Sequence, residues 1–195
     1  VIETKYPDLR RWYLREHHVD VMGPAPDAAL LIPPCQEEEE LLGICAFLRT
    51  KEGESMTGEP MVFPVAPDQN FLYLDVPQGC WRVFFVYKTR QGCQESTRWK
   101  ANLLSRQSVA ALIEGVYEPH YQHFPEYFGN TVAGFFSDEP GLDCQHLGPW
   151  GEDTGGYFRR VGEPGLALPW DEANPELMGK YGLKQPVAMR PALWD

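Results

Sequence analysis

Apolar residues occur in short runs separated by polar stretches through the first half of the chain. His18–Met22 alternates between apolar and polar residues and ends at Gly23-Pro24, a turn signal that predicts the end of a strand. Leu41–Leu48 is a continuous apolar run, which predicts a buried strand or, from periodicity alone, a helical turn. The polar stretch 51–57 after it predicts a hairpin loop.

The strongest strand pattern is Trp81–Tyr87, which is rich in aromatic and β-branched residues. Its consecutive apolar residues Val83–Val86 predict burial of both faces, as in a parallel sheet covered on both sides. Met61–Phe63 and Phe71–Asp75 predict two shorter strands before it.

A helical period replaces the strand pattern from Ser105 onwards. One stripe at helical spacing contains Val109, Leu112, Ile113, Val116, Tyr117, Tyr121 and Phe124. Ser105 and Ser108 both suit the N-cap position. Pro119 lacks a backbone donor, so we expect a kink or break there, and Gly129-Asn130 predicts the end of the helical region.

The segment Thr131–Ser137 predicts a short buried strand. Strand, helix and strand from Trp81 to Ser137 would form a parallel β-α-β unit. The predicted fold class is therefore α/β, a (β/α) barrel-like domain or partial barrel with a β-rich N-terminal portion. We expect residues 1–80 to be a β-rich segment or barrel insertion, and residues 81–195 to be the barrel segment.

The net charge and the length of the chain limit the classes of partner that it is expected to bind. The 195 residues include 17 basic and 28 acidic side chains, a formal charge of -11. This charge repels phosphate backbones and anionic lipids, so we expect neither nucleic acid nor a membrane as partner. No apolar run approaches the ~20 residues of a membrane-spanning helix. The N-terminus has no signal segment and no initiating Met, so we expect a cytoplasmic piece of a longer protein, of undetermined oligomeric state.

Five cysteines form an odd set without Cys-x-x-Cys spacing, so neither a zinc site nor a complete disulfide framework is expected. We expect reduced, mostly buried thiols in an intracellular protein. A bond between Cys80 and Cys93 stays open.

An acidic pair, Asp138-Glu139, directly follows the predicted buried strand. In a (β/α) barrel the C-terminal ends of the strands carry the catalytic groups. Partial desolvation there would raise the pKa of a carboxyl group towards neutrality, as a proton donor in glycoside hydrolysis requires. The alternative is that Asp138 caps a helical turn and Glu139 faces solvent, and position alone does not separate the two.

Three ordered segments resemble a known enzyme family: Leu103–Tyr121, Phe128–Pro140, and Leu168-Pro-Trp170 followed by residues 175–182. They are similar to large bacterial glycoside hydrolases that have a family 2-type sugar-binding domain and are akin to the α-L-rhamnosidases of family 106. The resemblance implies that Glu139 is the catalytic carboxylate, with Asp138 beside it in the site. Glu118 matches an acidic position of the family and is a candidate second acid or sugar-binding group, or a structural helix residue.

The family's members are much longer than this chain, and a complete barrel alone needs about 250 residues. We therefore expect an excised piece or a reduced homologue. The expected function is α-L-rhamnosidase-like hydrolysis of a glycosidic bond in a polysaccharide or glycoconjugate, with carbohydrate as partner. The alternative is a non-catalytic carbohydrate-binding domain or a degenerate, truncated glycosidase domain.

Further candidates for binding substrate lie in and after the long loop that follows the acidic pair. Trp150, Tyr157 and Trp170 suit stacking on sugar rings or packing of the loop onto the sheet, and His146 is a weaker candidate. Asp171 and Glu172, which follow Trp170, are candidates for the partner carboxylate, or they cap a helix at Pro175.

Metal and cofactor sites are not predicted. His120 and His123 have a metal-compatible spacing but no carboxylate in register, which favours ordinary helix-surface histidines. Calcium at Asp138 and Asp143 is conceivable, but no ligand-rich loop spacing supports it. The chain also lacks nucleotide-binding and nucleophile-elbow motifs.

Overall fold

The computed structural model describes residues 2–50, 56–90, 99–136 and 168–171. The strands are β1 (Trp12–Leu31), β2 (Glu39–Arg49), β3 (Met56–Phe63), β4 (Phe71–Thr89) and β5 (Leu168–Trp170). The α-helices are α1 (Ile2–Lys5), α2 (Arg106–Leu112) and α3 (Glu118–His123). A π-helical turn, Ile113–Tyr117, joins α2 to α3, and single 3-10 turns lie at Pro7–Leu9 and Pro125–Tyr127.

The strands form one sheet in the order β3-β2-β4-β1-β5. Every pairing in it is antiparallel, including those of the central strand β4 with β1 and with β2. The predicted parallel β-α-β unit, and with it the α/β (β/α) barrel, is therefore wrong. Residues 81–87 do lie in a buried strand, but its neighbours are antiparallel strands from earlier in the chain.

β1 and β4 form one long ribbon that folds back on itself. Tyr13 and Glu39 both pair with Thr89, so β1 and β2 begin on either side of the same position of β4. In a straight ribbon, Leu31 would lie about 60 Å from Tyr13, at ~3.3 Å per residue. The connection from Leu31 to Glu39 reaches at most roughly 29 Å. The far half of the ribbon, residues 25–31 paired with 71–76, must therefore return over the sheet, and we call it the folded-back ribbon.

The bend lies where Gly23 pairs with Gly79. A β-carbon on Gly23 would lie 1.8 Å from the carbonyl oxygen of Pro77, so this close approach of two backbones requires glycine. The prediction that a strand ends at Gly23-Pro24 is wrong, because pairing with β4 resumes after a shift of register and continues to Leu31.

The folded-back ribbon covers one face of the sheet. The shared core contains Ile32, Ile44, Ala46, Leu72, Leu74, Val76, Val83, Phe85 and Tyr87. The hydroxyl of Tyr87 donates a hydrogen bond of 2.6 Å to the carbonyl oxygen of Pro33, just beyond the end of β1. Burial raises the pKa of Tyr87 above its usual range. This hydrogen bond connects β4 to the chain just after the end of the folded-back ribbon.

The opposite face has a second core, formed by Leu14, Cys45, Phe84, Val86 and Trp170. Burial raises the pKa of the Cys45 thiol to about 12, so it stays protonated at neutral pH. The β4 side chains on this face, Phe84 and Val86, are thus buried as well, each 1% exposed. Burial on both faces was correctly inferred from Val83–Val86, but the sheet is antiparallel and not the parallel sheet that this pattern predicted.

The domain boundary expected between residues 80 and 81 lies inside β4. Cys80 is a free thiol in this strand, as is Cys35 in the connection between β1 and β2. Cys93, the other member of the pairing left open, lies outside the described residues.

The helical region begins as expected at Ser105, whose hydroxyl accepts a hydrogen bond of 3.4 Å from the Ser108 backbone N–H. The irregularity expected at Pro119 takes the form of the π-helical turn directly before α3, and Pro119 lies in the first turn of α3. Gly129 follows the last 3-10 turn with φ +86°, so the helical region closes where the sequence indicates.

The buried strand expected at residues 131–137 is wrong over 131–136. Only an isolated bridge between Phe128 and Val132 is present there. The side chains of Phe135 and Phe136 are 58% and 88% exposed. The desolvation that a buried strand would have given to the following acidic pair therefore has no support from these residues.

Candidate functional site

Four of the six predicted site residues lie outside the described residues: Asp138, Glu139, His146 and Trp150. The other two, Glu118 and Trp170, lie in different environments, one on the surface and one in the core.

Trp170 is the last residue of β5 and is 3% exposed. It pairs with Trp12 on β1, and its side chain packs in the core with Leu14 and Phe84. Packing onto the sheet is the alternative to sugar stacking that the sequence left open for Trp170. Stacking of Trp170 on a sugar stays a prediction, and it would require this core to open.

Glu118 is the first residue of α3 and is exposed. Tyr121 lies one helical turn further on, and its side chain is 53% exposed. Residues three apart in a helix are neighbours on its surface. Glu118 therefore offers a solvated carboxylate next to an accessible aromatic ring, an arrangement suited to binding a sugar.

Four rings around this helix contact one another in sequence. Tyr121 packs edge-on against Phe128 at 5.1 Å between ring centroids, Phe128 lies 6.0 Å from Phe135, and Phe135 packs edge-on against Tyr117 at 4.6 Å. We call these residues the aromatic cluster. Phe135 is followed in the sequence by the exposed Phe136, which lies two residues before Asp138.

A buried polar junction fixes the start of α2 to the sheet. The Ser108 hydroxyl donates to the carbonyl oxygen of Leu9 and accepts from the backbone N–H of Asn102, both at 2.8 Å. The side-chain amide of Asn102 donates to the carbonyl oxygen of Trp170 at 2.8 Å. The same amide nitrogen lies 3.5 Å from a carboxylate oxygen of Asp171. Asn102 thus joins the first and third of the segments that carry the family resemblance.

The histidines on α3 bind their own helix. Nδ1 of His120 lies 2.6 Å from the carbonyl oxygen of Val116, and Nδ1 of His123 lies 2.8 Å from that of Pro119. Within the described ranges, no group of three or more His, Cys, Asp or Glu side chains has a metal-binding arrangement. Both residues with which calcium was considered, Asp138 and Asp143, lie outside those ranges.

Sequence reasoning missed an ionic cluster on the exposed end of the second core. Residues 16, 18 and 20 of β1 share one face, because side chains alternate along a strand. Nδ1 of His18 lies 3.0 Å from a carboxylate oxygen of Glu16, whose side chain is 1% exposed. Asp20 accepts hydrogen bonds of 2.8 and 2.9 Å from Arg82 and also pairs with Arg49.

The electrostatics of this cluster indicate a structural role. The hydrogen bonds from Arg82 lower the pKa of Asp20 below its usual value, against a smaller opposing effect of burial. Asp20 is therefore held ionised by its partners across β1, β4 and β2, and these charges connect the strands. The signal available in the sequence was the alternation of Glu16, His18 and Asp20.

Among the helices of the described ranges, none has the length and apolarity needed to cross a membrane. No protein-family model matches the chain, and no significant match is found among curated proteins or among solved structures.

Proposed function

We propose that this chain belongs to a glycoside hydrolase of the α-L-rhamnosidase-like kind, with Glu139 as general acid or base and Asp138 beside it. The single observation that carries the proposal is the ordered resemblance of three segments to the family pattern, with the acidic pair inside the second segment. The substrate would be a glycosidic bond of a polysaccharide or glycoconjugate. A (β/α) barrel is not part of this proposal.

Two features of the described residues support carbohydrate as the partner. The aromatic cluster and Glu118 together offer exposed rings and a carboxylate near the N-terminal side of the acidic pair in the sequence. The Asn102 junction brings Asp171 next to the start of the helical region that carries those rings. Aromatic faces and carboxylate oxygens are the groups that bind the C–H faces and hydroxyls of sugars.

The proposed chemistry needs two carboxyl groups. Glu139 would protonate the leaving oxygen, or activate a water molecule after that oxygen has left. Asp171, held at the end of β5, is a candidate for the second group. A separation of about 5–5.5 Å between the two would give retention of configuration, and about 6.5–9.5 Å would give inversion.

The proposal needs no cofactor, because two carboxyl groups and water account for the reaction. It places the protein in the cytoplasm, where the free thiols of Cys35 and Cys80 would stay reduced.

A second candidate is a non-catalytic carbohydrate-binding domain. It is favoured by the solvent exposure of Phe135 and Phe136 immediately before the acidic pair, where a catalytic acid would profit from burial. The antiparallel fold suits this function as well as the first, since function depends on the site and not on the fold.

Hydrolysis of a panel of aryl glycosides, followed by release of the aryl alcohol, tests both candidates. We expect the Glu139→Gln variant to lose at least about a hundredfold in rate, because removal of a general acid or base costs roughly that much. Glu126→Gln, an exposed acid on the last 3-10 turn, is the matched control and should keep the parent rate. An unchanged rate for Glu139→Gln would rule out the catalytic assignment. Sugar binding by a protein without hydrolytic activity would favour the second candidate.

A further inference from the structure

We infer that the outer face of the folded-back ribbon is a binding surface for a neutral polysaccharide. The inference shares with the proposed function only the class of ligand, and it depends on residues that the structure describes.

The outer face presents apolar side chains where they have no structural need to be. Along β4, Leu72, Leu74 and Val76 are buried, whereas Phe71 and Tyr73 alternate with them on the outside and are 42% and 69% exposed. The core is therefore complete without these two rings. A strand whose outer face had no function would be expected to carry polar residues at such positions.

The two rings form a rigid, open platform. Their centroids lie 6.3 Å apart with 39° between the ring planes, so the two rings form one continuous aromatic surface. Tyr73 pairs with Ala29 across the ribbon, so no bulky neighbour covers the ring from that side. Leu31, paired with Phe71 and 62% exposed, extends the apolar surface. Strand pairing fixes these positions before any ligand binds, which lowers the entropic cost of binding.

Polar groups that can bind sugar hydroxyls lie at one end of the platform formed by Phe71 and Tyr73. Asp75 continues the outer face of β4, and one of its carboxylate oxygens accepts a hydrogen bond of 2.9 Å from the backbone N–H of Asp27. That bond orients the carboxylate at the ribbon surface. A carboxylate accepts up to four hydrogen bonds, so Asp75 keeps capacity for sugar hydroxyl donors.

Charge and area select this ligand from the alternatives. Acidic side chains at the platform and a net charge of -11 repel nucleic acid, anionic lipid and anionic polysaccharides. Three exposed side chains offer a few hundred Å². A stable protein interface needs roughly 800 Å² on each partner. A neutral chain of sugars, with C–H faces for the rings and hydroxyls for the carboxylate, satisfies both conditions.

Affinity electrophoresis of the full chain through gels containing neutral β-glucan, xylan or galactomannan, or anionic polygalacturonate, tests this inference. We expect at least one neutral polysaccharide, and not polygalacturonate, to retard the protein. Tyr73→Ala should bind about tenfold more weakly or worse, as for a central aromatic contact. Tyr73→Phe, which keeps the ring, should retain most of the binding. Met22→Ala is the control, since Met22 is equally exposed (70%) but lies outside the folded-back ribbon.

Equal retardation of Tyr73→Ala and the parent would overturn the inference, as would a parent that no neutral polysaccharide retards. A parent that is dimeric in sedimentation and becomes monomeric in Tyr73→Ala would show that the surface binds a second copy instead, and would also overturn it. Failure of the proposed function is separable. Retardation that survives Glu139→Gln, in a chain that hydrolyses nothing, supports the ribbon surface while removing the glycosidase assignment.

Discussion

The central stretch of β4, 83–87, and the helical region, 105–136, both contain several aromatic residues, which are buried in the first and mostly exposed in the second. In the sheet, Phe84, Phe85 and Tyr87 are no more than 1% exposed. In the helical region, Phe135 and Phe136 are more than half exposed. The difference teaches that burial here depends on what covers an element, and not on how apolar the element is.

The two regions also differ in the range of their contacts. The sheet is closed by bonds between residues far apart in the sequence, such as Tyr13 with Thr89 and Tyr87 with Pro33. The rings of the aromatic cluster contact partners nearby in the sequence, and the main described connection of their helix to the sheet is the Asn102 junction. We expect the sheet to unfold cooperatively and the helical region to open at lower free energy.

The largest expected effect comes from truncating one phenylalanine in each region. Phe85→Ala removes a fully buried ring from β4 and should lower the free energy of unfolding by about 3–5 kcal/mol. Phe136→Ala removes an 88% exposed ring and should change it by no more than about 0.5 kcal/mol. Urea denaturation followed by circular dichroism measures both. Similar losses for the two variants would contradict the distinction drawn between the regions.

A smaller effect is expected from the ionic cluster. Asp20→Asn weakens the partner of Arg82, whose side chain is 7% exposed, and should cost about 1–2 kcal/mol. A third of the Asp20 side chain is exposed, so solvent screening keeps this below the cost of a fully buried pair. Glu40→Gln is the matched control, because Glu40 pairs with Lys88 but its side chain is 63% exposed, and it should cost less than about 0.5 kcal/mol.

The Asp20 contribution should also depend on pH in a known direction. The pKa of Asp20 is lower in the folded protein than its usual value of 3.8. Its stabilisation is therefore complete above about pH 4 and is lost as the pH falls through the lowered pKa. Denaturation measured from pH 6 downwards should show the parent and Asp20→Asn converging in acid. A difference that stays constant down to pH 2 would mean that the ion pair is not its source.

The smallest effect concerns the connection between the two regions. Ser108→Ala removes a buried hydroxyl that bonds to both Leu9 and Asn102, and should cost about 1–1.5 kcal/mol of global stability. Ser105→Ala removes only a long capping bond, so it should cost about 0.5 kcal/mol, at the low end for an N-cap. Hydrogen exchange of the amides of α2 and α3 distinguishes local fraying from global loss. A Ser105→Ala variant that is less stable globally than Ser108→Ala would show that the cap, and not the junction, holds the helix.

The local features of the chain were predictable where neighbouring residues determine them. Leu41–Leu48 and Trp81–Tyr87 lie in β2 and β4, because β-branched and aromatic residues suit a pleated, buried surface. Ser105 caps the helix because its hydroxyl needs only the backbone three residues on. The aromatic cluster was partly visible as well, since Tyr117 and Tyr121 lie on the predicted stripe. The sequence did not show that the rings on this stripe would remain on the surface.

The sequence predicted which residues could take part in the candidate site, but not where they lie in the structure. Glu118 and Trp170 were selected for the same kind of role, yet one is solvated on α3 and the other is buried in the second core. The platform of Phe71 and Tyr73 escaped notice because the pattern Phe-Leu-Tyr-Leu does not show which residues face the core. The ionic cluster escaped notice because its partners come from three strands that are distant in the sequence.

By itself, then, the sequence determined that Trp81–Tyr87 is a strand buried on both faces and that the helical region starts at Ser105. Only the tertiary structure decided that β4 lies between antiparallel neighbours and that the ribbon bends at Gly23 and Gly79. It also decided that residues 131–136 stay on the surface. The physical reason is that the hydrophobicity of a residue determines how strongly its burial is favoured. The direction of the neighbouring strands and the path of the chain depend instead on pairing between distant segments.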